Sequence, residues 1–180
     1  MARYLLVTAV GQDRPGLVAG LTAVLRDSGC SVEDSTMTRL RGDFAMMLLV
    51  RHPDAPLEPV MESLEAVGHG LNLALNAREL GPEEVKAAPE SGETFHINVY
   101  GADRTGIVYS ISTVLAERGA NITDLRTTVA GAPDRPIYVM LIEATAAPDE
   151  DPAAFTAAVS RAGAQMDVDV TVQQLDPVAL

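Results

Sequence analysis

The sequence predicts an α+β protein built from two tandem copies of one βαββαβ unit, and three observations carry that prediction. Sliding the chain by 90 residues lays GQDRPGLVAGLTAVLRDSGCSVED over GADRTGIVYSISTVLAERGANITD. Gly11, Asp13, Arg14, Gly16, Val18, Val24, Leu25, Gly29 and Asp34 recur as Gly101, Asp103, Arg104, Gly106, Val108, Val114, Leu115, Gly119 and Asp124. Within each copy, apolar runs of strand length and segments of helical period follow in the same order. Between the copies, GPEEVKAAPESGE is rich in Pro, Gly and Glu with no apolar period, which is the composition of a linker. A repeat at fixed spacing marks a duplicated structural unit. The expected organisation is a first unit over 1–80, a linker over 81–93, a second unit over 94–176 and a short tail over 177–180.

In the first copy, Tyr4 to Val10 is an apolar run that reads as a buried strand. Pro15 is placed to open a helix, because its missing N–H is not needed in a first turn. Leu17, Val18, Leu21, Val24 and Leu25 then lie on one helical face. Gly29 is expected to end that helix in the left-handed conformation. Ser31 to Leu40 and Phe44 to Val50 read as strands joined by a hairpin at Arg41, Gly42 and Asp43. A second helix carries Leu57, Val60, Met61, Leu64 and Val67, and the glycines Gly68 and Gly70 are expected to stop it. Leu71 to Leu80 is the fourth strand.

The second copy repeats the order. Phe95 to Tyr100 is a strand, and Ile107, Val108, Ile111, Val114 and Leu115 line a helix. Ile122 to Val129 and Ile137 to Glu143 are strands. Asp151 and Pro152 form a cap and first-position pair for a helix bearing Phe155, Ala158, Val159 and Ala162. Asp167 to Leu175 closes the copy. This is the ferredoxin-like plan, with both helices on one sheet face if the crossovers are right-handed. The other face of each sheet is left uncovered, so the two units are expected to pack side by side, and the chain to form a homodimer.

Composition excludes several functions. The net charge of −12 sets the chain against direct nucleic-acid binding, which draws its affinity from Lys and Arg, and against anionic membrane surfaces. An aromatic share of 4% without Trp offers no platform for stacking bases. The single cysteine, Cys30, rules out an internal disulfide and reads as a small apolar residue. The apolar start of the chain is short and broken by GQDRPG, so it reads as a strand; a cytoplasmic location is expected. His52, His69 and His96 have no spaced partner for catalysis or metal, and Asp149, Glu150 and Asp151 read as a solvated loop. Neither RGD at 41–43 nor the sequon at Asn121 carries weight without secretion. No enzyme, metal or cofactor is expected.

The strand, loop and helix start that occur twice are the most informative element. A helix N-terminus offers unpaired N–H groups and partial positive charge, which attract a carboxylate. Gly16 and Gly106 leave room for close approach to the backbone, so the N–H groups of Leu17, Val18, Ile107 and Val108 are candidate donors. No Lys-Ser/Thr of a P-loop and no GxGxxG is present, so the loop is not built for nucleotides. Arg14 and Arg104 read as solvated surface charges.

GQDRPGLV with GCSVEDS, and GADRTGIV with GANITDL, resemble the sequences of tandem ACT domains, and among these the repressors of the glycine cleavage system. The resemblance covers nearly the whole chain outside linker and tail. It implies an amino-acid sensor whose ligand lies between the first loop of one unit and the second strand of its neighbour. Carried over by position, one site would comprise Gly11, Asp13, Arg14, Gly16, Leu17 and Val18 with Asn121 and Ile122. The mirrored site would comprise Asp103, Arg104, Gly106, Ile107 and Val108 with Ser31 and Val32. Two departures matter: Thr105 replaces the usual proline found at Pro15, and Ser31 replaces the usual asparagine found at Asn121. The first departure loosens the second loop; the second leaves one hydroxyl in place of an amide.

The expected function is therefore a non-enzymatic regulator that binds a small amino acid, glycine or serine in size, and acts on a regulatory protein partner such as a transcription factor of glycine metabolism. The alternative is an accessory regulatory subunit of an amino-acid or one-carbon metabolic enzyme, since similar domains precede the catalytic domain of formyltetrahydrofolate deformylase.

Overall fold

The structure, a computed structural model, describes residues 3–85, 92–132 and 134–175. The expected tail over 177–180 and linker residues 86–91 lie outside them. The chain divides into two compact units, 1–88 and 89–180.

Unit 1 holds β1 (Arg3–Gln12), α1 (Leu17–Asp27), β2 (Ser31–Leu40), β3 (Asp43–His52), α2 (Glu58–Leu71) and β4 (Leu73–Leu80). A single helical turn, α3 (Pro82–Val85), follows inside the expected linker. The Glu84 carboxylate accepts from the Gly81 N–H at 2.8 Å and from Arg78 at 2.7 Å, and both bonds hold it below the usual glutamate range. Unit 2 holds β5 (Thr94–Ala102), α4 (Ile107–Glu117), β6 (Asn121–Ala132), β7 (Arg135–Thr145), α5 (Pro152–Gln165) and β8 (Val168–Gln174).

Each unit forms one antiparallel sheet, ordered β2-β3-β1-β4 in the first and β6-β7-β5-β8 in the second. Strand periodicity decides which residues meet the helices. Leu5, Val7 and Ala9 of β1 and Phe44, Met46, Leu48 and Val50 of β3 are buried against Leu17, Leu21 and Leu25 of α1 and Val60 and Leu64 of α2. In unit 2, Phe95, Ile97 and Val99 with Met140, Ile142 and Ala144 meet Ile107, Ile111, Leu115, Phe155 and Val159. Both helices of a unit thus share one sheet face. Each fully buried Leu, Ile or Phe contributes about 1.5–3 kcal/mol relative to exposure.

β2 is exposed along its whole length, as its polar sequence SVEDSTMTRL requires of an edge strand beyond the helices. A bulge between Val32 and Asp34 recurs between Ile122 and Asp124, so the irregularity belongs to the unit.

Two helix boundaries differ from the sequence reading. α1 begins at Leu17, two residues after Pro15, because Gly16 adopts φ +95° and interrupts the helical path. α2 runs through Gly68 and Gly70 to Leu71 and ends at Asn72, which takes the left-handed conformation with φ 54°. Gly68 is inside because β4 crosses close by: a Cβ there would lie 3.0 Å from Leu75 Cβ. Gly163 meets Val170 in the same way in unit 2.

Candidate functional site

The loop between β1 and α1 is fixed from three sides. The Asp13 N–H bonds the Gly42 carbonyl at 2.9 Å, and the Asp13 carboxylate pairs with Arg39 at 2.7 Å. The Arg14 guanidinium donates to the Leu71 carbonyl at 2.7 Å, at the end of α2 where the helix dipole is negative. In unit 2, Arg104 pairs with Asp167 at 2.6 Å. Asp167, with φ 55°, directly follows Met166, the C-cap of α5, while Asn72, with φ 54°, is itself the C-cap of α2. The two arginines are therefore not idle surface charges: each ties its loop to the junction of the second helix and last strand. Gly11 and Gly101 bring the strands together beneath that tie. A Cβ on Gly11 would lie 2.9 Å from the Asn72 carbonyl, and one on Gly101 would lie 2.6 Å from Val168.

With those side chains engaged, the helix starts stand open. Neither α1 nor α4 has a side-chain cap or an acidic residue in its first turn. Their first intrahelical bonds run from the Gly20 N–H to the Gly16 carbonyl and from the Ser110 N–H to the Gly106 carbonyl, both 2.8 Å. The N–H groups of Leu17, Val18, Ile107 and Val108 precede those bonds, so they have no intrahelical acceptor. Gly16 and Gly106 hold φ +95° and +98°; among the described residues nothing lies within 4 Å of a Cβ placed on Gly16, and the Met166 methyl, at 3.8 Å, is what approaches one on Gly106. α5 is the contrast, since the Asp151 carboxylate accepts from the Ala153 N–H at 3.1 Å. Leu17 and Ile107 point into their cores, whereas Val18 and Val108 are 38% and 39% exposed.

The other candidate residues sit elsewhere in each unit. Ser31, Val32 and Asn121 are exposed and Ile122 half-buried, all at the starts of β2 and β6. Within a unit, the loop at Gly16 and the strand start at Ser31 are at opposite ends of α1, whose 11 residues span about 16 Å. One unit alone does not bring its own loop and strand start together.

Several of the remaining titratable groups have structural partners. His52 is buried, with Nδ1 2.6 Å from the Pro53 carbonyl. Burial raises the Cys30 thiol above its ordinary range, which suppresses the thiolate. Of the acidic run 149–151, Glu150 pairs with Arg118 and Asp151 caps α5, so two of the three are not loosely solvated. His96 lies 3.1 Å from Glu143, which also accepts from Thr123 at 3.0 Å; the histidine bond, then the threonine bond, holds Glu143 below the usual range. In unit 1 the matching cross-strand pair is Leu6 and Leu49. Among the described residues no group of three or more His, Cys, Asp or Glu is placed to hold a metal ion, and no helix is long and apolar enough to cross a membrane.

Sequence reasoning missed Arg39, Asn72 and Asp167. A signal existed for the last two: the second half of each repeat aligns at a spacing of 95, which sets Asn72 over Asp167.

Two ACT-fold units, each with an open helix start beneath a positive-φ glycine, define the class. The ACT domain family model matches residues 3–77 and 93–173, and the chain belongs to that family. A UPF0237 protein of Methanopyrus kandleri is 39% identical over 70 residues, covering 38% of this chain and 78% of that protein. The glycine cleavage system transcriptional repressor of Escherichia coli K12 is 24% identical over 143 residues, covering 79% of this chain and 74% of the repressor. Among solved structures, an unknown protein from Galdieria sulphuraria matches with TM-score 0.82 and 28% identity, covering 98% of this chain and 100% of that one.

Proposed function

We propose that the protein is a non-enzymatic regulator that senses a small amino acid and passes the signal to a protein partner. The observation that carries the reading is the pair of uncapped helix starts at Gly16 and Gly106, whose first backbone N–H groups have neither an intrahelical nor a side-chain capping acceptor. Such groups, with the helix dipole behind them, grip a carboxylate. The strand starts at Asn121 and Ser31 would supply the polar wall for the ligand's ammonium group, each from a unit other than the one whose loop holds the carboxylate. Relationship to a glycine cleavage system repressor favours glycine or serine, and a net charge of −12 favours a protein over DNA as the partner.

Size bounds the affinity. A ligand like glycine, with about five heavy atoms at roughly −1.5 kcal/mol each, binds no tighter than about −7.5 kcal/mol. That limit is a dissociation constant of several micromolar, which suits reversible monitoring of a metabolite. Titration calorimetry across the twenty amino acids should find a small one binding in the micromolar to millimolar range. Gly16→Ala with Gly106→Ala should weaken it roughly tenfold or more, since a methyl covers the N–H groups. Asn121→Ala should cost more than Ser31→Ala, because an amide offers more partners than a hydroxyl. Absence of any binding, or full binding by the double glycine variant, overturns the reading.

A further inference from the structure

We propose that the groove between α2 and the free edge of β4 docks an extended, Lys- or Arg-bearing segment of a partner protein, which adds to the first sheet as a fifth strand. The groove has a volume of about 670 Å³ and is lined only by residues of unit 1. Leu75 and Ala77 form its floor, and Glu58, Glu62, Glu65 and His69 stand along its helical rim. Among the described residues, the order β2-β3-β1-β4 leaves β4 paired on one side only. Its outer edge therefore presents unpaired backbone N–H and C=O groups, a template for another extended chain.

Spacing and charge indicate which chain. Glu58, Glu62, Glu65 and His69 follow one helical stripe in axial steps of about 4.5–6 Å. Alternate side chains of an added strand recur every ~6.6 Å, so basic residues at every second position fall opposite successive carboxylates. No cation among the described residues forms an ion pair with Glu62 or Glu65. Arg3, which acts on Glu58, is itself bonded to Glu79 at 2.7 Å. Carboxylates on the rim repel phosphate, so a nucleic acid is the wrong occupant.

Unit 2 provides an internal comparison. At the spacing of 95 that aligns Val60 with Phe155 and Leu64 with Val159, the rim positions become Ala153, Ala157, Ser160 and Ala164. The fold keeps its core residues and the close-packed glycine in both copies. It carries the carboxylates in only one, beside the same kind of strand edge. Packing therefore does not account for them, whereas a cationic occupant of unit 1 does. This inference stands apart from amino-acid binding and survives its failure.

The test is fluorescence polarisation on the full chain with labelled peptides of about ten residues, the length of a strand. One peptide alternates Lys and Thr, a second alternates Glu and Thr, and a third is the Lys peptide with a central Pro. The Lys peptide should bind, and Glu62→Gln with Glu65→Gln should weaken it roughly tenfold. Removing the same charge from unit 2, by Glu117→Gln with Asp149→Asn, should change binding less than about twofold. Amide exchange over residues 73–77 should slow with the Lys peptide. Equal losses in the two double variants, equal binding of the Pro-containing peptide, or no binding of the Lys peptide each overturns the proposal.

Discussion

At Gly11 and Gly101 a hydrogen is all that fits, while at Gly16 and Gly106 the requirement is backbone angle, and the two kinds of glycine fail differently when substituted. A Cβ on Gly101 would sit 2.6 Å from Val168 Cγ1, 3.0 Å from its Cβ and 3.2 Å from its Cα, so relief requires the β8 backbone to shift. Gly101→Ala should cost about 1–3 kcal/mol, the range of an overpacked core, read as a lower denaturation midpoint at unchanged slope. At Gly16 the space is open, and Ala would bear only the strain of φ +95°, about 1–2 kcal/mol. All four glycines recur at a spacing of 90, so the sequence marked them as special. Their separate reasons were hidden, because one depends on a strand that arrives some 60 residues later and the other on a local turn. The same holds for Arg14: its partner is a carbonyl at the end of α2, and a backbone atom leaves no trace in side-chain patterns.

Among the elements, strands and helix faces were legible because burial on one side enforces period 2 or 3.6, and the helix-face residues named from periodicity pack into the cores except Val18 and Val108, which stay exposed beside the helix starts. Helix ends were less so. Pro15 and Gly68 obey local rules for starting and stopping a helix, yet Gly16 and Asn72 set the actual limits through their positive φ. The cap of α5 was legible, since Asp-Pro states its chemistry in two adjacent residues. Asp151→Ala should destabilise unit 2 by about 0.5–2 kcal/mol through loss of the bond to the Ala153 N–H. Thermal unfolding followed by circular dichroism would register that change. A loss much larger than this range would mean that Asp151 does more than cap. α1 and α4 have no such residue to lose, since neither start carries a side-chain cap.

For the whole molecule, the question is what two units do that one cannot. Each has its own sheet, two helices and a closed set of buried side chains, so each contains what a small domain needs to fold. The relative from Methanopyrus kandleri matches 70 residues that make up 78% of its length, so a single unit accounts for most of a whole protein there. Fragments 1–88 and 89–180 are accordingly expected to fold separately, each with a cooperative transition. Binding should not divide in the same way. If the carboxylate rests on the start of α1 and the ammonium group on a strand start, the length of α1 forbids both from coming from one unit, so a second must be present. Fragment 1–88, held monomeric at low concentration, should bind the amino acid at least roughly tenfold more weakly than the full chain, and mixing the fragments should recover part of the loss. Calorimetry paired with sedimentation would decide it: full-strength binding by the monomeric fragment would place the entire ligand on one unit and remove the reason for pairing a helix start with a strand start from elsewhere.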